Sequence, residues 1–205
     1  MESSQMDRAD PGVLMNPAAS TAMTAAAFGD PATSFLIYLP TLLEQWVLEL
    51  EGVEPRLEEG ALGAAVGYGC GAAAIALAKA YPASHFFGFD PDPTVVRRAQ
   101  RRAHDERLSE RTTFEQATPE AIPNHRYALI VLLSGLAESR DPMSVAWRAL
   151  TTLDAAGSLV IVEPRVGPAG AGCVSSPGSG LAQAGFRRVR LIDQTAFARV
   201  FEARR

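Results

Sequence analysis

The chain has 205 residues, which at about 150 residues per domain suggests one domain with a short appendage. Hydrophobic residues make up 47% and charged residues 20% of it, a balance that excludes wholesale disorder, collagen and a coiled coil. The net charge of −4 gives no basic excess to draw nucleic acid, and two cysteines, Cys70 and Cys173, exclude a disulfide scaffold.

Residues 1–30 show no periodicity and many small side chains, which predicts a flexible arm. Their first ten carry Glu2, Asp7, Arg8 and Asp10, the wrong charge balance for a signal peptide. The uncharged run 60–78 is interrupted by Gly63, Gly67, Gly69 and Gly71, so two soluble elements explain it better than a membrane span. A cytoplasmic protein that touches no membrane is the expectation.

Residues 31–50 place Leu39, Leu42, Leu43, Trp46, Val47 and Leu50 at three- and four-residue steps and predict a helix, kinked or restarted by Pro40. Residues 51–60 read as an acidic connector, and 31–60 as a helical lid in front of the main domain, 61–205. From 61 the pattern alternates. Strands are expected at 61–66, 85–89, 111–116, 127–133 and 158–162, and helices at 72–81, 94–106 and 141–153, the last with Asp141 as N-cap and Pro142 in its first turn. The loop 165–180 and a helical turn at 181–185 precede two strand-like runs, 186–192 and 198–203, that could pair as an antiparallel edge. Strands alternating with helices predict an α/β fold: a doubly wound, mostly parallel seven-stranded sheet of Rossmann-like type.

The sharpest motif is Gly67-Tyr68-Gly69-Cys70-Gly71, with Asp90 nineteen residues after Gly71. A glycine loop between strand and helix lets backbone approach a ligand and aims helix N–H groups at it. An acidic residue ending the next strand can accept from both hydroxyls of a ribose. A glycine turn with a purely structural role remains the other reading. The third glycine falls one residue short of the dinucleotide spacing, and no phosphate-loop lysine follows. None of His85, His104 and His125 has metal-ligand spacing, so no metal is expected.

With VGYGCG, Gly88-Phe89-Asp90 and the run Gly157 to Pro164 (GSLVIVEP) in order, the chain resembles class I S-adenosylmethionine-dependent methyltransferases of a bacterial small-molecule group over about residues 50–205. The resemblance implies that S-adenosylmethionine is the cofactor and S-adenosylhomocysteine the product. It implies Gly67, Tyr68, Gly69 and Gly71 beside the cofactor's methionine part and Asp90 on the ribose. Pro91 and Asp92 would then lie near the ribose or adenine edge, Ala117 and Thr118 beside the adenine, and Leu133 and Ser134 at the pocket's end. Ser134, Glu138 and Glu163 are the candidate catalytic residues, at the ends of the fourth and fifth strands where an acceptor would meet the methyl group. Cys70 reads as a small buried filler, Tyr38 as core or a lid, and Arg97, Arg98, Arg101 and Arg102 as a solvated helix face.

The chain also departs from that family. Ala65 stands where an acidic residue usually precedes the glycines, Thr118 where a carboxylate approaches the adenine, and Ala137 where a histidine often follows the fourth strand. Three functions fit: a small-molecule, natural-product biosynthetic methyltransferase; a methyltransferase fold that has lost its cofactor use and performs a cyclisation or isomerisation; or a non-catalytic partner of another protein. A small-molecule substrate is expected in the first two, and a protein partner or a homodimer is open in all three.

Overall fold

A computed structural model describes residues 31–67, 69–133, 136, 139–164, 178–195 and 198–205. Seven strands form one sheet: β1 (Leu62–Val66), β2 (His85–Asp90), β3 (Thr112–Gln116), β4 (Tyr127–Leu133), β5 (Leu153–Pro164), β6 (Arg188–Gln194) and β7 (Ala198–Arg204). Their order is β3-β2-β1-β4-β5-β7-β6. The first five run parallel, and β7 and β6 are antiparallel, as the closing pair of strand-like runs predicts. The reversal of order between β1 and β4 creates the crevice in which open α/β sheets hold ligands.

Residues along the strands alternate between two cores. Ala65, Val131, Val160 and Val200 face one cluster, while Ala64, Ile130, Leu159 and Phe201 face the other. Burial on both faces explains why β4 reads as an unbroken apolar run. The first cluster is covered by α1 (Pro31–Leu48), α2 (Val53–Glu59), α3 (Cys70–Ala80) and α4 (Pro93–Asp105). The second is covered by α5 (Pro142–Thr152) and α6 (Gly178–Ala184). The start of α5 follows the expected Asp141 cap, whereas Asp92, expected at the ribose or adenine edge, caps α4. Asp92 accepts from Thr94 N at 2.7 Å with Pro93 behind it, and Asp141 accepts from Ser144 N at 3.0 Å with Pro142 behind it.

Three local expectations change. The helix α1 runs unbroken through Pro40, because Leu39, Leu43, Trp46 and Val47 on both sides of it are buried in one cluster. The acidic connector contains α2, whose Val53 and Leu57, one helical turn apart, are fully buried. Strand β5 begins five residues early, at Leu153, opposite Tyr127. The register then breaks before Leu129 meets Ser158, and Gly157 sits where a Cβ would lie 2.7 Å from the Tyr127 carbonyl oxygen. Of the expected 165–180 loop, residues 165–177 lie outside those described, and 178–180 open α6.

Polar contacts tie α1 and the turn after it to the β6–β7 edge of the sheet, and α2 to β5. Trp46 Nε1 donates to Asp193 at 2.8 Å, Arg190 reaches the Glu49 carbonyl, and Glu51 pairs with Arg188 and Arg204. Arg56 pairs with Asp154, its Nη1 lying 3.1 Å from Oδ1. The buried carboxylate of Glu202 accepts from Ser158 at 2.8 Å and Arg190 at 2.6 Å.

Candidate functional site

The carboxyl ends of β1, β2 and β4 bring most of the expected cofactor residues to one crevice edge. Gly67 and Gly69 both adopt left-handed backbone, with φ of 90° and 97°, a region open to glycine at no steric cost. Gly67 N donates to the Phe89 carbonyl at 2.8 Å, and Cys70 N donates to the Gly67 carbonyl at 2.9 Å. The turn is thereby tied to the end of β2 and to the first turn of α3. There the helix leaves N–H groups without intrahelical partners, positive in sign and aimed at the crevice.

Asp90 ends β2 and is 5% exposed. Its Oδ1 accepts from Asp92 N at 2.8 Å, and among the described residues no other hydrogen bond or ion pair engages this carboxylate. Its charge and, more strongly, burial push the Cys70 thiol up to about 12. Cys70 is therefore a neutral filler beneath the glycine turn and no nucleophile.

The other expected residues separate by task. Asp92 spends its side chain capping α4, and its carboxyl is held below the usual carboxylate range first by the Thr94 N–H. Pro91 is exposed, and its carbonyl accepts from Gln116 at 3.0 Å. Ala117 N donates to the Asp90 carbonyl at 3.2 Å, which sets Ala117 and Thr118 beside the end of β2. Thr118 opens a single 3-10 turn, Pro119–Ala121. Leu133 ends β4 and is buried. Gly71 is not in the loop but in the first turn of α3, where a Cβ would lie 2.8 Å from the Ala99 Cβ on α4. It sets how closely two helices pack. Tyr68, Ser134 and Glu138 lie outside the described residues.

Glu163 continues the inward row of Leu159 and Ile161 on β5 and is 2% exposed. Its Oε1 accepts from Leu136 N at 2.9 Å. The carboxylate thus holds Leu136, a role invisible in the sequence because the donor is a backbone group. Gln116 was missed for the same reason, since its partner is the Pro91 carbonyl. Among the described residues no three His, Cys, Asp or Glu are grouped to hold a metal ion, and no helix is long and apolar enough to cross a membrane. Tyr38 is 41% exposed, while Trp46 is buried in the core. Arg97, Arg98, Arg101 and Arg102 are exposed on α4.

The donor set fits S-adenosylmethionine: a side-chain-free turn, oriented N–H groups for a carboxylate, and one carboxylate acceptor for paired hydroxyls. A family model described as a methyltransferase domain matches residues 64–153. No curated protein matches the chain. Several solved structures share the fold. The citrinin polyketide synthase CMeT domain is 14% identical with a TM-score of 0.65, covering 85% of this chain and 53% of its own. The [4+2]-cyclase SpnF is 21% identical with a TM-score of 0.60, covering 75% and 59%. A SAM-dependent methyltransferase from Aquifex aeolicus is 20% identical with a TM-score of 0.61, covering 85% and 97%. The chain therefore spans little more than half of the first two. Its sheet and layers are those of the class I methyltransferase fold. The matched residues 64–153 run from β1 to the start of β5 and contain the glycine turn and Asp90.

Proposed function

We propose that the chain is a small-molecule methyltransferase that uses S-adenosylmethionine. The observation that carries this reading is the join between Gly67 N and the Phe89 carbonyl, which sets the left-handed glycine turn beside the Asp90 carboxylate. When bound, the cofactor supplies a methyl group already activated on a sulfonium. The chain's own work is then to position and to exclude water. Asp90 holds the ribose hydroxyls, Gly67 and Gly69 let the backbone approach the methionine part, and the N–H groups of α3 that follow Cys70, whose own N–H bonds the Gly67 carbonyl, receive its carboxylate. Ala117 and Thr118 flank the adenine. Glu163, which bonds Leu136 N, works on the acceptor side, as do Ser134 and Glu138. A natural-product acceptor fits the likeness to enzymes of that chemistry.

A second reading is a reaction without methyl transfer, such as a cyclisation or isomerisation. It is favoured by Ala65, buried in the apolar cluster under α1 at a position where the family usually has a carboxylate, and by the fold shared with a cyclase.

Calorimetric titration with S-adenosylmethionine and S-adenosylhomocysteine tests the main reading. Micromolar binding that is lost in Asp90→Ala is expected; one lost charge-assisted pair costs about 1.5–3 kcal/mol, and two ribose bonds share this carboxylate. Absence of binding at millimolar ligand, or binding indifferent to Asp90→Ala, overturns it.

A further inference from the structure

Two hydrogen bonds through a single peptide unit connect the end of β3 to the Asp90 carboxylate. Gln116 ends β3 and is the register partner of Asp90, which ends β2, so the two lie side by side across a strand spacing of about 4.8 Å. Gln116 Nε2 donates to the Pro91 carbonyl at 3.0 Å. The N–H of that same Pro91–Asp92 peptide donates to Asp90 Oδ1 at 2.8 Å. A peptide unit is planar, so a bond that fixes its oxygen also fixes the direction of its N–H. A carbonyl that accepts a hydrogen bond also makes the N–H of its own unit a stronger donor. The chain is anchored on either side of this peptide. Ala117 N donates to the Asp90 carbonyl at 3.2 Å, and Asp92 Oδ1 accepts from Thr94 N at 2.7 Å. The Pro91–Asp92 peptide can still turn between these anchors, and the bond from Gln116 opposes that rotation.

We propose that Gln116 is a positioning residue for the cofactor's ribose. Acting through the Pro91–Asp92 peptide, it holds the Asp90 carboxylate in the orientation that accepts from the paired hydroxyls. The proposal rests on the reading of Asp90 as the ribose acceptor. A neutral amide suits this task. An arginine or lysine there would pair with Asp90 and compete with the hydroxyls, and a second carboxylate would repel it. Among the described residues no ion pair engages Asp90, so its charge stays available to a ligand. Gln116 and Pro91 are both exposed. Water can therefore serve the Pro91 carbonyl when the amide is removed, and the bond adds little to the stability of the fold. Its contribution is direction: a carboxylate already aimed loses less freedom when the ribose arrives.

Calorimetric titration of the full chain with S-adenosylhomocysteine and with its 2′-deoxyribose counterpart tests the proposal. The chains compared are the wild type, Asp90→Ala and Gln116→Met, the last a near-isostere without a donor. Gln116→Met is expected to weaken S-adenosylhomocysteine binding about three- to tenfold. The 2′-deoxy ligand is expected to lose less, so the preference for the ribose narrows. A role in local packing alone would weaken both ligands alike. Without ligand, the Asp92 amide is expected to exchange faster in Gln116→Met than in the wild type, at a melting temperature close to that of the wild type. Unchanged binding in Gln116→Met, an equal loss for both ligands, or an Asp92 amide that exchanges as in the wild type overturns the proposal. In each of those cases the loss of binding in Asp90→Ala still reports on the cofactor reading by itself. A wild-type chain that binds neither ligand overturns both.

Discussion

Gly67 donates its backbone N–H to the carbonyl of Phe89 at 2.8 Å, one residue before Asp90. The glycine turn and the ribose carboxylate of the proposed site are therefore held to each other by main chain. The same turn sits on Cys70 and Gly71, whose surroundings give the first two expectations.

Gly71 touches Ala99 so closely that a Cβ would lie 2.8 Å from the alanine Cβ. Gly71→Ala is expected to lower stability by about 1–3 kcal/mol through overpacking. Adding Ala99→Gly returns part of that loss, because the second change reopens the space. Denaturant unfolding of the two single variants and the double variant reads the coupling; strictly additive losses would contradict the contact.

Cys70 is buried, with its thiol pushed up to about 12 by burial and then by the Asp90 charge. With Cys173 replaced by serine, the folded protein is expected to resist iodoacetamide near pH 8 and to react once unfolded, since only the thiolate attacks. Mass spectrometry of trapped thiols checks this. Rapid alkylation of the native chain would show that the thiol is reachable and ionised.

Glu163 and Leu136 offer a comparison of near-isosteres. Glu163→Gln keeps an oxygen to accept the Leu136 N–H, whereas Glu163→Leu leaves that buried donor unmet, at a cost of about 1–3 kcal/mol. The leucine variant is expected to melt below the glutamine variant. Amide exchange at Leu136 is expected to be fast in the leucine variant alone. Equal protection of that amide in both would place its anchor elsewhere.

His85 gives stability a pH dependence. Burial lowers its ring below the ordinary value of 6.5, and Nε2 lies 2.8 Å from Thr113 Oγ1. The unfolded chain therefore takes up a proton at a higher pH than the folded one does. The stabilisation is full above the ordinary value and is lost as pH falls through it toward the lowered value. Stability of the wild-type chain is expected to decline across that window more steeply than that of His85→Gln. Parallel slopes in denaturant unfolding would remove His85 as the cause.

The sheet was legible because strands buried on both faces read as apolar runs, as Leu159 to Val162 and all of β4 do. The start of α5 was legible because Asp141 stands just before Pro142. The same Asp-Pro pair at Asp92 and Pro93 opens α4, although the resemblance sets Asp92 beside the cofactor. Helix α2 was not, since in VEPRLEE two buried side chains lie among polar ones over only seven residues. The early start of β5 was hidden by Gly157, a turn residue in most contexts and here a close approach to the Tyr127 backbone. Within the site, Asp90 and the positive-φ glycines follow from motif spacing. The task of Gly71 does not, because spacing alone cannot separate a loop from the first turn of a helix. The tasks of Glu163 and Gln116 depend on backbone partners distant in the chain.

The clasp between α1 and the β6–β7 hairpin bears on how the chain is made. Trp46 waits for Asp193, the Glu49 carbonyl for Arg190, and Glu51 for Arg188 and Arg204, separations of well over a hundred residues. Synthesis at about 5–20 residues per second delivers α1 several seconds before those partners. The apolar row of Leu39, Leu43, Trp46 and Val47 thus leaves the ribosome early, while its polar seat is completed by the last strands. Helix α1 is therefore made before the strands that complete its polar seat, and its final locking waits on the β6–β7 hairpin.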